Sequence, residues 1–212
     1  MKKNQVMKVL KILYDTYPDA QCELNYNTAF ELLVSTILSA QATDKKVNQV
    51  TERVFKKYNT AYDFAALTQL ELEVEIKEIG LYRNKSKNIL LMSKTLINEY
   101  NGEVPSNRED LMKLAGVGRK TANVVLSNVF NIPAIAVDTH VFRVTNRIGF
   151  ASSSTVEKTE IELMDNISEN QWSKAHHALI FHGRRTCIAR NPKCEICSIK
   201  DYCKFYNEKN RA

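Results

Sequence analysis

Leu111-Met112-Lys113-Leu114-Ala115-Gly116-Val117-Gly118-Arg119-Lys120-Thr121-Ala122 reads as a helix, a tight turn and a second helix. Two of the chain's six glycines fall in that turn. Glycine there permits a positive φ and lets another backbone approach closely. The amides that open the second helix then face outward without intrahelical partners, ready for a phosphate oxygen. A nucleotide P-loop is excluded, because it needs G-x-x-x-x-G-K-[ST] after a strand and these glycines stand too close together. The pattern fits a helix–hairpin–helix, which grips a nucleic-acid backbone without reading its sequence. A ligand-free turn between two helices fits the same residues.

Helical periodicity continues on both sides of the hairpin. Val6, Leu10, Leu13 and Tyr17 form a first apolar stripe that Pro18 ends. Phe30, Leu33, Val34, Ile37 and Leu38 form a second, opened by the capping box Thr28-x-x-Glu31. Val47, Val50, Val54 and Phe55 mark a third, beginning near Thr43 or Asp44. Further helices are expected over Tyr62–Ile79, Ser86–Tyr100, Gly118–Phe130, Asp138–Arg147 and Gln171–His182. Ser106-x-x-Glu109 and Ser154-x-x-Glu157 open two more. No sustained period-2 stretch and no clear repeat occur, so the fold class is all-α with about ten helices.

Composition narrows the function classes. The 212 residues, 44% of them hydrophobic, can bury a substantial core as one large domain or two modest ones. No apolar run reaches 18 residues, which excludes a membrane-spanning helix. Met1-Lys2-Lys3 imitates the start of a signal peptide, but Lys8, Lys11 and Asp15 interrupt the apolar stretch, so a cytoplasmic location is expected, nucleoid-associated in a bacterium. The formal net charge is +6, and residues 182–212 alone hold eight basic and three acidic side chains. Such a basic segment suits a polyanion partner or a solvated tail.

Four of the five cysteines, Cys187, Cys194, Cys197 and Cys203, form C-x6-C-x2-C-x5-C within that segment. Clustered thiols in a cytosolic chain point to a metal rather than to disulfides. Four thiolates suit tetrahedral zinc or an iron–sulfur cluster. Structural zinc usually draws on two tight pairs, and only one is present here, so the wide first gap favours the bulkier centre. Arg190 and Lys193 lie in that gap and give the loop positive charge.

Lys120 follows the glycine turn in the first turn of the new helix. A nucleophilic lysine must be neutral, and with an ordinary pKa of about 10.4 roughly one in a thousand is neutral near pH 7.4. Desolvation by a bound substrate or a nearby base has to supply the rest. Asp138 is the candidate base. A helix from Gly118 to Phe130 climbs about 18–20 Å, and an extended run from Asn131 to Asp138 spans about 23–25 Å. The chain can therefore return beside the helix and bring Asp138 back toward Lys120. A plain N-cap for the helix starting at Thr139 is the alternative duty of Asp138.

The chain resembles the endonuclease III family of DNA glycosylases with abasic-site lyase activity. The resemblance rests on Leu38-Ser39-Ala40-Gln41-Ala42-Thr43-Asp44, Ile79-Gly80-Leu81-Tyr82, Gly116 to Val125, Val137 to Val144 and the four cysteines, in that order. Ala115 departs from the family, which often has proline there. The resemblance implies two helical domains flanking a DNA-binding groove: a six-helix domain over 22–133, and a second built from 1–21 and 134–212 that holds a [4Fe–4S] cluster on Cys187, Cys194, Cys197 and Cys203. It implies a monomer that removes oxidised pyrimidines from damaged double-stranded DNA. Lys120 would form a Schiff base with the sugar, assisted by Asp138, before β-elimination cuts the strand. Gln41 and Leu81 would wedge into the vacated stack, with Gly116, Gly118, Arg119, His140, Arg190 and Lys193 as further DNA contacts. An adenine mismatch glycosylase is a weaker match, since it typically lacks the hairpin lysine and carries an extra C-terminal domain. A non-catalytic iron–sulfur DNA-binding module is the competing reading from another class.

Overall fold

The structure is a computed structural model and describes residues 1–209; Arg211 of the basic segment lies outside them. The described residues form twelve α-helices in order: α1 (Lys3–Thr16), α2 (Ala29–Leu38), α3 (Asp44–Val54), α4 (Ala61–Ala66), α5 (Gln69–Ile76), α6 (Tyr82–Tyr100), α7 (Arg108–Lys113), α8 (Arg119–Val129), α9 (Thr139–Ile148), α10 (Val156–Asn166), α11 (Trp172–Arg185) and α12 (Lys204–Lys209). The described residues contain no strand, and the fold is all-α. The chain divides into two compact units, Glu23–Ile132 and the combination of Met1–Cys22 with Pro133–Ala212.

In the Glu23–Ile132 unit, α2 is the central helix. Its sequence AFELLVSTIL is apolar on nearly every side, and Phe30 through Leu38 are all buried. A helix without a polar face has to be surrounded, and α3, α6 and α8 pack around it. The Thr28 hydroxyl accepts from the Glu31 amide to start it, and the Glu31 carboxylate accepts from the Asn27 amide in return.

The second unit joins α1 to helices that lie more than a hundred residues further along the chain. Val6, Val9, Leu10 and Leu13 on α1 join Val141, Val144 and Ile148 of α9 and Leu179 and Phe181 of α11 in one core. No helix among the described residues is long and apolar enough to cross a membrane.

Several boundaries differ from the sequence expectation, each for a local reason. The run expected over Tyr62–Ile79 is two helices, because Thr68 and Glu71 form a second capping box that restarts the chain at α5. Asn107, not Ser106, caps α7: its Oδ1 accepts from the Asp110 amide at 2.9 Å, and its Nδ2 donates to the Asp110 carboxylate at 2.7 Å. Thr155, not Ser154, caps α10 by accepting from the Lys158 amide. Helix α6 begins at Tyr82, four residues ahead of Ser86, which makes Leu81 its N-cap.

Candidate functional site

The glycine hairpin joins α7 to α8. Leu111, Leu114 and Val117 are buried beneath it, while Gly116, Gly118 and Lys120 are exposed above. Gly116 has φ +80°, and a Cβ there would stand 3.0 Å from Asn88 Cβ on α6. Both facts require glycine. Gly116→Ala should therefore cost about 1–2 kcal/mol of stability from the left-handed backbone alone, read by urea unfolding, with a parallel loss of DNA affinity. Gly118 is the N-cap of α8 and brings no side chain to cap it, and the first turn of α8 holds no acidic residue. Lys120 projects from that turn. Arg108 Nε donates to Asn123 Oδ1 at 2.9 Å, which staples α7 to α8 behind the hairpin.

Gln41 and Leu81 share an unusual property. Among the described residues five that are not glycine have positive φ, and the other three are asparagines, the side chain that tolerates it best. Gln41 has φ 57° and Leu81 φ 61°. Each conformation costs on the order of 1–2 kcal/mol, and strain of this kind collects at sites of function. Both side chains are exposed, Leu81 at 56% of its surface. The two turns are neighbours, since a Cβ on Gly80 would lie 4.0 Å from the Gln41 carbonyl oxygen.

Asp138 lies in the other unit from Lys120. It is the N-cap of α9, and its Oδ1 accepts from the amides of His140 and Val141, both at 2.8 Å. Both cap bonds fall on Oδ1, so the cap fixes the carboxylate without engaging Oδ2. One turn on, Arg143 Nη2 donates to His140 Nδ1 at 3.2 Å and to the Gly183 carbonyl at 2.9 Å. Its guanidinium also reaches the Cys187 carbonyl. Gly183 permits this approach of α11 to α9: a Cβ there would sit 3.0 Å from His140 Cβ and 3.4 Å from Arg143 Nη2.

Cys187, Cys194, Cys197 and Cys203 line one pocket, with Ile148, His182 and Phe205 among its walls. Among the described residues no three His, Cys, Asp or Glu side chains converge on a point as ligands of a single ion. Zinc would draw all four sulfurs to about 2.3 Å of one centre. Four sulfurs spread around a hollow suit a cluster, in which each thiolate binds a different iron. Burial pushes the Cys197 thiol up to about 11 and raises that of Cys203 as well. Donors surround the sulfurs: Arg147 Nη1 lies 3.6 Å from Cys187 Sγ and 2.8 Å from the Ile188 carbonyl. His182 Nε2 lies 3.8 Å from Cys197 Sγ, with Tyr17 fixing the opposite ring nitrogen at 3.0 Å. Arg190 and Lys193 are exposed on the same loop.

Residues 34–169 match the model of the HhH-GPD superfamily of base excision DNA repair proteins, and residues 187–203 match the iron–sulfur binding domain of endonuclease III. The endonuclease III of Bacillus subtilis (strain 168) is 48% identical over 94% of this chain and 92% of its own. The chain belongs to the endonuclease III family. The Haemophilus influenzae endonuclease III is 49% identical, covering 97% of each chain. A solved trapped endonuclease III–DNA covalent intermediate superposes with a TM-score of 0.95 at 48% identity over the whole of both chains. A thermostable thymine-DNA glycosylase shares the fold, with a TM-score of 0.86 at 24% identity over 97% of each chain. This endonuclease III family member is a base excision repair DNA glycosylase with abasic-site lyase activity, and its cofactor is a [4Fe–4S] cluster.

Sequence reading alone did not single out Lys85, Arg143, Arg147 or His182, whose bonds reach the turn before Gln41, the end of α11 and the cysteine loop. Only Lys85 left a trace. It occupies a core position of the stripe Lys85, Ile89, Met92, Leu96 on α6, where an apolar residue is the norm.

Proposed function

We propose that Lys120 and Asp138 are the catalytic pair, acting on oxidised pyrimidines extruded from duplex DNA. The Lys120 amine attacks C1′ of the flipped nucleotide, the C1′–N bond breaks and the base departs with a proton. The sugar ring then opens as the C1′–O4′ bond breaks and O4′ takes a proton, leaving an iminium that acidifies C2′; loss of the C2′ proton expels the 3′ phosphate and cuts the strand. Hydrolysis of the iminium then returns the amine. This covalent route divides one difficult step into easier ones. Asp138 accepts the lysine's proton and balances the positive charge that develops at the sugar. Support comes above all from its cap: two amides hold Oδ1, leaving the carboxylate aimed with Oδ2 available.

Extrusion costs a few kcal/mol, less at a damaged base, and Gln41 and Leu81 fill the gap it leaves. The Gly116–Gly118 hairpin with Arg119, together with His140, Arg190 and Lys193, holds phosphates and so positions the duplex. Cys187, Cys194, Cys197 and Cys203 hold the [4Fe–4S] cluster, which crosslinks the C-terminal loop and keeps its basic side chains in place. The protein acts as a monomer in the cytoplasm. Duplexes carrying single defined lesions test the substrate class: excision confined to oxidised pyrimidines supports it, and removal of adenine opposite a mismatch instead would reject it.

Cys203→Ala should yield a colourless protein, because the cluster needs all four thiolates. Loss of the crosslink removes several kcal/mol, each worth about 2–4 °C of melting temperature in a chain of this size. Visible absorption and thermal melting read both effects. A variant with unchanged colour would remove Cys203 from the ligand set.

A further inference from the structure

Lys85 is almost completely buried, 4% exposed, yet it lies on the core-facing stripe of α6. Burying an ammonium is costly unless it is hydrogen-bonded, and an apolar residue of similar length would fill the position without that cost. Its bonds show what the charge does. Lys85 Nζ donates to the Leu38 carbonyl at 2.9 Å and to the Ala40 carbonyl at 2.6 Å. Leu38 ends α2, where the helix dipole favours a cation. The Ala40 carbonyl belongs to the peptide that leads directly into Gln41. The backbone amide of Lys85 meanwhile donates to the Leu81 carbonyl at 3.1 Å. One residue thus binds both left-handed turns, Leu81 through its main chain and the Gln41 turn through its side chain. Glu78, two residues before Gly80, adds an outer tie by pairing with Lys46 and Arg53 of α3.

From this geometry we infer that Lys85 is a positioning residue that locks the Gln41 and Leu81 turns into one rigid two-pronged wedge, so that both prongs enter the duplex together. The inference rests on the wedge role given to those two residues under Proposed function. A wedge matters only where a stack must be opened and a gap filled. A single-stranded abasic site has neither requirement, and this separates positioning from general damage to the enzyme.

Lys85→Met keeps the length and removes the charge. Borohydride trapping by this variant should slow on a duplex abasic site by about tenfold or more, as expected for losing charged hydrogen bonds. Trapping on the single-stranded abasic oligonucleotide should keep its parental rate. In a Gln41→Gly, Leu81→Gly background the same change should have no further effect on the duplex. Parallel losses on both substrates, or no loss on either, would overturn the inference. Amide exchange in the unaltered protein decides the matter even if the variant fails to fold: residues 39–43 and 81–85 should open as one unit, and independent opening overturns it. If Gln41→Gly and Leu81→Gly leave duplex activity intact, the wedge assignment fails, while the exchange result still judges the clamp separately.

Discussion

Lys120→Ala should abolish the borohydride-trapped adduct with abasic DNA while leaving the protein folded and coloured. The Lys120 side chain is exposed and no hydrogen bond joins it to another of the described residues, so its removal should change stability by no more than about 0.5 kcal/mol. The variant also keeps the hairpin amides and Arg119, so it should still bind duplex DNA. Loss of the adduct with binding retained isolates the nucleophile from the phosphate grip. Lys120→Arg sharpens the comparison, because a guanidinium preserves the charge but stays protonated and cannot attack. It too should give no adduct. Parental trapping by either variant would move the nucleophile elsewhere in the chain.

Asp138→Asn should lower the single-turnover rate by about 10²–10⁴-fold, the usual range for removing a positioned acid–base group, with almost no change in melting temperature. The reason lies in the cap. Asparagine ranks with aspartate at an N-cap, and its carbonyl oxygen can accept from His140 and Val141 as Oδ1 does now. What asparagine lacks is the capacity to take a proton and the charge to balance the iminium. Asp138→Ala removes the cap as well and should lose a further ~1 kcal/mol of stability. Near-parental turnover by the asparagine variant would reduce Asp138 to a structural cap.

What could be read from the residue order follows the range of the interactions. The α2 stripe, the Thr28 cap and the glycines at 116 and 118 are decided within a few residues, so the local pattern carries them. Asn107 and Thr155 displaced the expected caps because two adjacent residues could each serve, and the choice depends on how the chain enters the helix. Leu81 gave no warning of its backbone, since leucine ordinarily avoids positive φ; its strain is imposed from outside. Lys85, Arg143 and Arg147 act on carbonyls 45, 44 and 41 residues away, and no periodicity encodes such partners. The cysteine spacing already favoured a cluster over one ion, because only one tight pair is present, and the fold then gathers the four distant thiols around one pocket.

The unit that unites Met1–Cys22 with Pro133–Ala212 imposes an order on biosynthesis. Helix α1 leaves the ribosome before α9 and α11, on which its apolar face rests, and α11 is complete only at Arg185. At roughly 5–20 residues per second the nascent α1 waits on the order of ten to thirty seconds for its partners. The Glu23–Ile132 unit has its whole sequence by then and can fold while α1 is still unaccompanied. Residues 187–203 emerge after α11, so loading of iron and sulfide follows the synthesis of that helix, and a chain released before it is left with the apolar face of α1 uncovered.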